Sequence, residues 1–230
     1  MFGTIVNCIA IIVGAFFGII IKTGIKEKYK STIMDGIGLS VAIIGIMGAI
    51  EANNIILIIA SIVIGSIIGE MIDIDLRLEH LGQNMEKRFG KGDSNFSKGF
   101  VTASLVYCIG AMAIVGALKS GLEGNNDTLY AKSILDGITA VIFASTLGIG
   151  VAFAAIPVFI YQGTITLLAS SVESLLTTNV INEMSAVGGI LILAIGINIL
   201  GIKKIKVANM LPAIFIPLIY LTILNILVGI

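Results

Sequence analysis

Charge is scarce in this sequence. Only 12% of the 230 residues are Asp, Glu, Lys or Arg, whereas 57% are hydrophobic and the mean hydropathy is +1.08. A soluble domain of this length needs more polar surface than these residues supply. The composition therefore excludes a soluble globular protein and indicates a polytopic membrane protein whose solvent is the bilayer.

Cysteine and histidine are also rare, which excludes several kinds of site. Cys8 and Cys108 lie inside apolar segments, so we interpret them as packing residues and not as a secreted disulfide framework. His80 is the only histidine, and no zinc-ligand spacing surrounds it. Phosphate-binding loops, nucleophile elbows and Ser/His/Asp sets are also missing. We therefore expect neither an enzyme nor a bound metal or cofactor.

Long apolar runs separated by short polar gaps predict the membrane spans. A helix needs roughly 20 residues to cross about 30 Å of hydrocarbon. The first run has no basic n-region and no convincing cleavage site, so we interpret it as a mature span and not as a signal peptide. The sequence predicts an all-α fold with about eight transmembrane helices, at 4–21, 36–50, 55–71, 101–118, 138–156, 158–172, 186–202 and 208–230.

The basic residues orient these spans. Twelve of the 14 Lys and Arg residues follow the first, third and seventh spans, and two, Lys119 and Lys132, follow the fourth. The positive-inside rule then places the basic gaps in the cytoplasm and both termini outside. Because the net charge is zero and the basic residues are dispersed, we expect no nucleic-acid partner.

The same count decides how residues 137–172 cross the membrane. These 36 residues carry no charge, and they fit either one crossing with a re-entrant piece or two short helices. A single crossing would change the distribution of basic residues from 12 against 2 to 9 against 5. We therefore predict two helices that are short, tilted or broken, with a turn near Ala155, Ile156 and Pro157.

Two short strings recur at nearly the same offset. VNCIA at 6–10 is echoed by VYCIG at 106–110, and IMDGI at 33–37 is echoed by ILDGI at 134–138, which gives offsets of 100 and 101. We infer a repeat of three spans. Since three crossings separate the copies, they should be inverted, related by a two-fold axis in the membrane plane, as in many secondary transporters. The predicted regions are repeat 1 (1–72), a connector (73–98), repeat 2 (99–173) and a C-terminal helix pair (184–230).

The repeat also assigns a position to two acidic residues. Asp35 and Asp136 occupy equivalent places in the two strings, each where a span is expected to open. A carboxylate there would cap the helix and meet its positive end. We interpret both as caps on opposite faces of the membrane, with ion binding as the alternative.

Glycine and proline indicate where a site could lie. Gly148, Gly150 and Pro157 weaken helix continuity, and backbone groups freed inside a membrane must face protein or a water-filled cavity. Polar residues near this break or within other spans border the candidate binding site for a substrate or ion. They hydrogen-bond between helices or line a cavity, and the sequence leaves both open. The candidate residues are Ser145, Thr146, Gly148, Gly150, Tyr161, Gln162, Thr164, Asn7, Tyr107 and Asn198.

Ionised residues are absent from the centres of the predicted spans. Without a central charge to pair with, a solute must be held by hydroxyls, amides and backbone dipoles. This favours a small polar solute or a monovalent ion over a large apolar compound.

The connector between the repeats has a helical pattern of its own. Its apolar residues recur every three or four positions among charges, which predicts an amphipathic helix on the cytoplasmic headgroups. A solvated connector is the alternative. The apolar positions are Ile74, Leu78, Leu81, Met85 and Phe89.

Several strings together resemble a known family. They are GTIVN at 3–7, CIGAMAIVGA at 108–117, KSILDG at 132–137, YQG at 161–163 and NMLPA at 209–213. In these strings, and over nearly its whole length, the chain resembles the YqgA/YdfK-like integral membrane proteins, a grouping by domain of unknown function. The resemblance implies a bacterial or archaeal protein of the cytoplasmic membrane, and it supplies no catalytic or ligand residues.

Three functions remain open at this point. The leading hypothesis is a small secondary transporter or permease for a small polar solute or monovalent ion, with alternating access between the inverted repeats. A passive channel and a non-transporting scaffold or sensor are the alternatives. A continuous water-lined pore would favour the channel, and dry, fully satisfied packing would favour the scaffold. The substrate, the coupling ion and a homo-oligomeric state are not determined by the sequence.

The orientation generates the first testable prediction. Single cysteines introduced at Lys91 and Asn126 should react differently with an impermeant thiol reagent in intact cells, because Lys91 is expected inside and Asn126 outside. The reagent should modify the cysteine at Asn126 only. Ready modification at Lys91 without modification at Asn126 would invert the orientation.

Overall fold

The protein is helical throughout the part of the chain that its computed structural model describes, residues 1–22, 27–89 and 95–228. These residues form α-helices, one 3₁₀ helix and turns, and none of them is in a strand. The helices are α1 (Phe2–Lys22), α2 (Glu27–Ile50), α3 (Ile55–Ile72), α4 (Ile74–Phe89), α5 (Phe96–Cys108), α6 (Ala111–Leu122), α7 (Asp127–Leu147), α8 (Gly150–Phe153), α9 (Ala155–Leu167), α10 (Ala169–Val172), α11 (Thr178–Ile199), a 3₁₀ helix (Val207–Phe215) and α12 (Ile216–Val228).

Six segments among the described residues are long and apolar enough to cross a membrane, or seven if α5 and α6 count as one bent span. This is the architecture of a polytopic helical membrane protein, as the composition predicts. α7 is also 21 residues long, but it carries charged residues and falls outside this set. The predicted count of eight spans and the inverted repeat therefore stay predictions.

The fifth and sixth spans do not lie where the sequence analysis placed them. α7 ends at Leu147, and the chain turns at Gly148, whose φ of 81° favours glycine. The turn predicted near Ala155, Ile156 and Pro157 corresponds only to the single turn residue Ala154 between α8 and α9, and Pro157 itself lies in the first turn of α9, where a helix does not need its N–H. The apolar segment that corresponds to the predicted sixth span runs over Gly150–Leu167.

Asp35 and Asp136 do not cap helices. Asp35 lies exposed inside α2, and Asp136 lies buried near the middle of α7. α7 begins earlier than predicted, because Asn126 occupies the position before its first turn and Asp127 supplies the acidic residue of that turn. The Asn126 amide oxygen also accepts hydrogen bonds from Gly3 N at 3.0 Å and Ser120 Oγ at 2.8 Å, which holds the start of α1 against the α6–α7 turn.

The fourth span is broken instead of continuous. α5 ends at Cys108, α6 begins at Ala111, and their axes differ by 61°. Gly110 between them has a φ of 132°, which an L side chain rarely adopts. The last span is also not a single α-helix, because its first part is a 3₁₀ helix containing Pro212.

Helix α4 forms within the connector. Its residues Ile74, Leu78 and Met85 are half-buried, and Leu81 is exposed. Lys26 and Lys91, which belong to two of the three gaps predicted to lie in the cytoplasm, are outside the described residues.

The chain divides into two compact units. Unit 1 comprises 1–37, 77–108 and 112–170, and unit 2 comprises 38–76, 109–111 and 171–230. In unit 1, α1 packs along α7, and both contact α8, while α5 contacts α7, α8 and α9. In unit 2, α3 packs along the 3₁₀ helix, and α11 contacts α3, the 3₁₀ helix and α12.

Glycine residues allow these helices to pack closely against each other. A Cβ atom at Gly14 would overlap the carbonyl oxygen of Gly137, and one at Gly18 would overlap that of Val141, so α1 and α7 touch backbone to backbone. Gly65 and Gly69 of α3 meet the 3₁₀ helix in the same way. Small residues of this kind let helices approach within a membrane. These glycine pairs therefore serve packing within the chain.

This packing predicts opposite effects for two Gly-to-Ala changes. Gly14→Ala should lower the free energy of unfolding by about 1–3 kcal/mol, since the new methyl group has no space. Gly36→Ala should raise it by roughly 0.5–1 kcal/mol, because a Cβ atom added there in α2 would meet no atom of another described element within 4 Å. Thermal or SDS-induced unfolding of the purified proteins measures both. Equal effects would show that the α1–α7 contact is not tight.

Candidate functional site

The candidate site begins with one face of α7. Leu129, Lys132, Asp136 and Ala140 recur every three or four residues and are all buried. Lys132 and Asp136 are each only 6% exposed, and the ammonium nitrogen lies 2.9 Å from Oδ1 and 2.8 Å from Oδ2 of the carboxylate. The spacing of four residues places the two groups one helical turn apart, so the pair forms within a single helix.

Helices α1 and α9 contribute two amides to this pair. Asn7 of α1 and Gln162 of α9 are both fully buried. Asn7 Nδ2 donates to Asp136 Oδ2 at 3.0 Å and lies 3.4 Å from Gln162 Oε1. Three helices therefore meet through Asn7, Lys132, Asp136 and Gln162, which we call the polar cluster.

The polar cluster is not saturated with hydrogen bonds. Asn7 Oδ1 and Gln162 Nε2 are buried and have no partner among the described residues, and the same holds for the Tyr107 hydroxyl of α5. Tyr107 stacks on Phe143 of α7, with ring centroids 6.2 Å apart. Its hydroxyl lies near Thr139 but outside hydrogen-bond geometry. Leaving one buried polar atom unpaired costs about 1–3 kcal/mol, so the cluster retains hydrogen-bonding groups that the described residues do not use.

The structure brings together three of the residues that the sequence identified. Asn7 and Gln162 are in contact, and Tyr107 lies on a third helix that packs against α7 and α9. Tyr161 is half-buried beside Cys108. Cys8 and Cys108 are free thiols, and Cys8 donates to Ala155 O at 3.4 Å.

The other sequence candidates have local structural roles or face outward. Ser145 and Thr146 donate to backbone carbonyls one turn earlier in α7. Gly148 ends α7, and Gly150 allows the backbone of Phe96 to approach, since a Cβ atom there would overlap its carbonyl oxygen. Thr164 is exposed on α9. Asn198 belongs to unit 2, where its amide bonds both N and O of Ile205 at 2.7 and 2.8 Å.

Lys132 is the site residue that the sequence pattern does not single out, because hydropathy assigns it to a polar gap. Asp136 was expected to cap the start of a helix, with ion binding as the alternative, and not to lie within a helix beside Lys132. Their spacing of four in KSILDG, together with the helix-start signal Asn125-Asn126-Asp127, is the signal that identifies them.

Unit 2 contains two polar contacts of a different kind. Glu183, only 1% exposed, accepts from the backbone N–H groups of Asn53 and Asn54 at 3.1 and 2.9 Å and so holds the start of α3. Glu70 accepts from Lys206 and from Asn209 Nδ2. The hydrogen bond to Glu70 raises the pKa of Lys206 above its usual value, and Lys206 stays charged at neutral pH.

Comparison with known proteins agrees with this architecture. Residues 2–222 match the family model described as "Protein of unknown function (DUF554)". The chain belongs to this family. It is 41% identical over 221 residues to the "Uncharacterized membrane protein YdfK" of Bacillus subtilis (strain 168) and 31% identical over 221 residues to the "Uncharacterized protein YqgA" of Escherichia coli (strain K12), in each case over 94% of both chains. No solved structure matches the chain significantly. The resemblance noted in the sequence is thereby confirmed, and the chain is a membrane protein.

The buried pair predicts a non-additive mutational effect. Lys132→Met should lower the free energy of unfolding by about 3–5 kcal/mol, because it leaves the Asp136 carboxylate buried without a counter-charge. Adding Asp136→Asn should restore most of this loss, since both charges are then gone and an amide oxygen still accepts from Asn7. SDS-induced unfolding of the purified variants measures the coupling.

Lys119→Met is the matched control, because Lys119 is exposed on α6 and its loss should change stability by less than about 0.5 kcal/mol. Additive effects of the two cluster substitutions would show that Lys132 and Asp136 do not interact.

Proposed function

We propose that this membrane protein is a small secondary transporter for a small polar solute or a monovalent ion and that the polar cluster is its binding site. The observation that carries the proposal is a buried ion pair joined to two amides with unpaired atoms, inside a unit of apolar helices. Ionisable residues within membrane helices are costly, and they mark substrate and ion pathways.

The charge of the cluster restricts the substrate class. Lys132 and Asp136 neutralise each other, so the cluster offers no net charge to a strongly charged solute. It offers one carbonyl acceptor, Asn7 Oδ1, and one amide donor, Gln162 Nε2. A small molecule that both donates and accepts hydrogen bonds is complementary to these two atoms. A monovalent ion with part of its hydration shell satisfies the same requirement.

The helix breaks support the same conclusion. α5 and α6 are interrupted at Gly110, immediately after Tyr107 and Cys108, and α7 ends at Gly148. In transporters, interrupted helices border the substrate site because their freed backbone groups bind solutes or ions. The mechanism that we propose is alternating access between the two predicted inverted repeats.

A proteoliposome flux screen tests the proposal. The panel is urea, glycerol, glycine, Na⁺ and K⁺. Wild type should carry at least one member, and Gln162→Leu should abolish that flux while remaining folded, because it removes a hydrogen-bonding group at similar volume. Gln83→Leu is the matched control, since it makes the same chemical change at an exposed position of α4.

Three other outcomes point elsewhere. Single-channel conductance in planar bilayers would favour the passive channel. Flux that is equal in wild type and Gln162→Leu would remove Gln162 from the site. No flux for any panel member, together with unchanged thermal stability in their presence, would favour the scaffold or sensor.

A further inference from the structure

We propose that the coupling ion of this transport is the proton and that Asp136 is its binding group, with Lys132 as the partner that protonation releases. This inference rests on the proposed function and adds the driving force. It is carried by the geometry of the carboxylate, whose two oxygens face one ammonium and one amide in the interior of unit 1.

The contacts of Asp136 favour a proton over a metal ion. Lys132 Nζ lies within 2.9 Å of both carboxylate oxygens, so a second cation would approach a group already occupied by a positive charge. This repulsion opposes a proton as well, but a metal ion also needs several oxygen ligands at once. A proton needs only one lone pair on one oxygen.

Protonation changes the bonding of both residues. An O–H bond forms on Asp136 with a proton taken from water on one side of the membrane, and the attraction that holds the Lys132 ammonium is lost. The cluster gains one positive charge and returns to neutrality when the proton leaves to water on the other side. Asn7 Oδ1 is a buried acceptor without a partner, and its residue is already bonded to Asp136 through Nδ2.

The neighbouring titratable groups do not compete for this proton. Among the described residues, three titratable groups interact electrostatically with Asp136 or Lys132. They are the Cys8 thiol of α1 and the Tyr107 hydroxyl and Cys108 thiol of α5. Tyr161 of α9 lies beside Cys108. With their ordinary pKa values, thiols and phenols are neutral at physiological pH, so they already hold their protons. Asp136 is the group in this set that can gain one.

Infrared difference spectroscopy in lipid tests the protonation directly. Acidification of wild type should produce a band from a buried protonated carboxyl group. The double variant Lys132→Met with Asp136→Asn, which has no buried charge and is expected to fold, should lack it. Asp35→Asn and Glu183→Gln are controls for an exposed and a second buried carboxylate, and both should keep the band. A band that persists in the double variant would overturn the proposal.

A flux measurement separates this inference from the proposed function. Proteoliposomes contain a trapped pH-sensitive dye, and the panel member that wild type carries is added as a gradient. Wild type should move protons with the solute, and the double variant should lose both proton movement and uphill accumulation. Wild-type flux without proton movement would overturn the inference and leave the proposed function intact. Absence of wild-type flux for the whole panel would remove both.

Discussion

The close contact between α1 and α7 determines where the polar groups of unit 1 meet. Gly14 and Gly18 let the two backbones touch, and Asn7 lies two helical turns before Gly14, on the same face of α1. The facing residues of α7 beside Asp136 are Gly137 and Val141. Because no large side chain separates these helices, the short side chain of Asn7 reaches the Asp136 carboxylate at 3.0 Å. A bulkier residue along this contact would separate the hydrogen-bonded groups as well as the helices.

The ion pair also explains how a charged helix is tolerated in an apolar protein. A lone Lys or Asp at the centre of a membrane helix costs about 2.5–3.5 kcal/mol on insertion scales, and more in other treatments. Lys132 and Asp136 lie four residues apart on α7, so they neutralise each other before any other helix arrives. Packing against α1 and α9 then adds the amide contacts. The pairing within α7 lowers the cost of burying its two charges, and the packing against α1 and α9 supplies further polar contacts.

The sequence predicted most of the helices and part of the site. α1 and α3 lie within a few residues of their predicted bounds, because each apolar run ends abruptly at polar residues. α7 was misplaced because hydropathy assigns Lys132 and Asp136 to a gap, although their pairing within the helix cancels the charge. Asn7, Gln162 and Tyr107 were recognised as buried polar residues. Their proximity depends on tertiary packing, which spacing along the chain does not encode, and for the same reason Asn198 was grouped with residues that belong to another unit.

The buried amides of the two units differ in how completely they are hydrogen-bonded. In unit 2, Asn198 uses both amide atoms on Ile205, and Asn209 accepts from Asp75 N at 2.6 Å while donating to Glu70 at 2.6 Å. These side chains are saturated, as expected of groups that only join segments. In unit 1, Asn7 and Gln162 are buried more completely, yet each leaves one amide atom unpaired. Since burial makes an unpaired atom more costly, a purely structural role would favour pairing most strongly there. Glu183 Oε2 and Ser185 Oγ of unit 2 are also buried without a partner among the described residues, so it is the position of the Asn7 and Gln162 atoms next to a neutralised charge pair that supports the binding site proposed above.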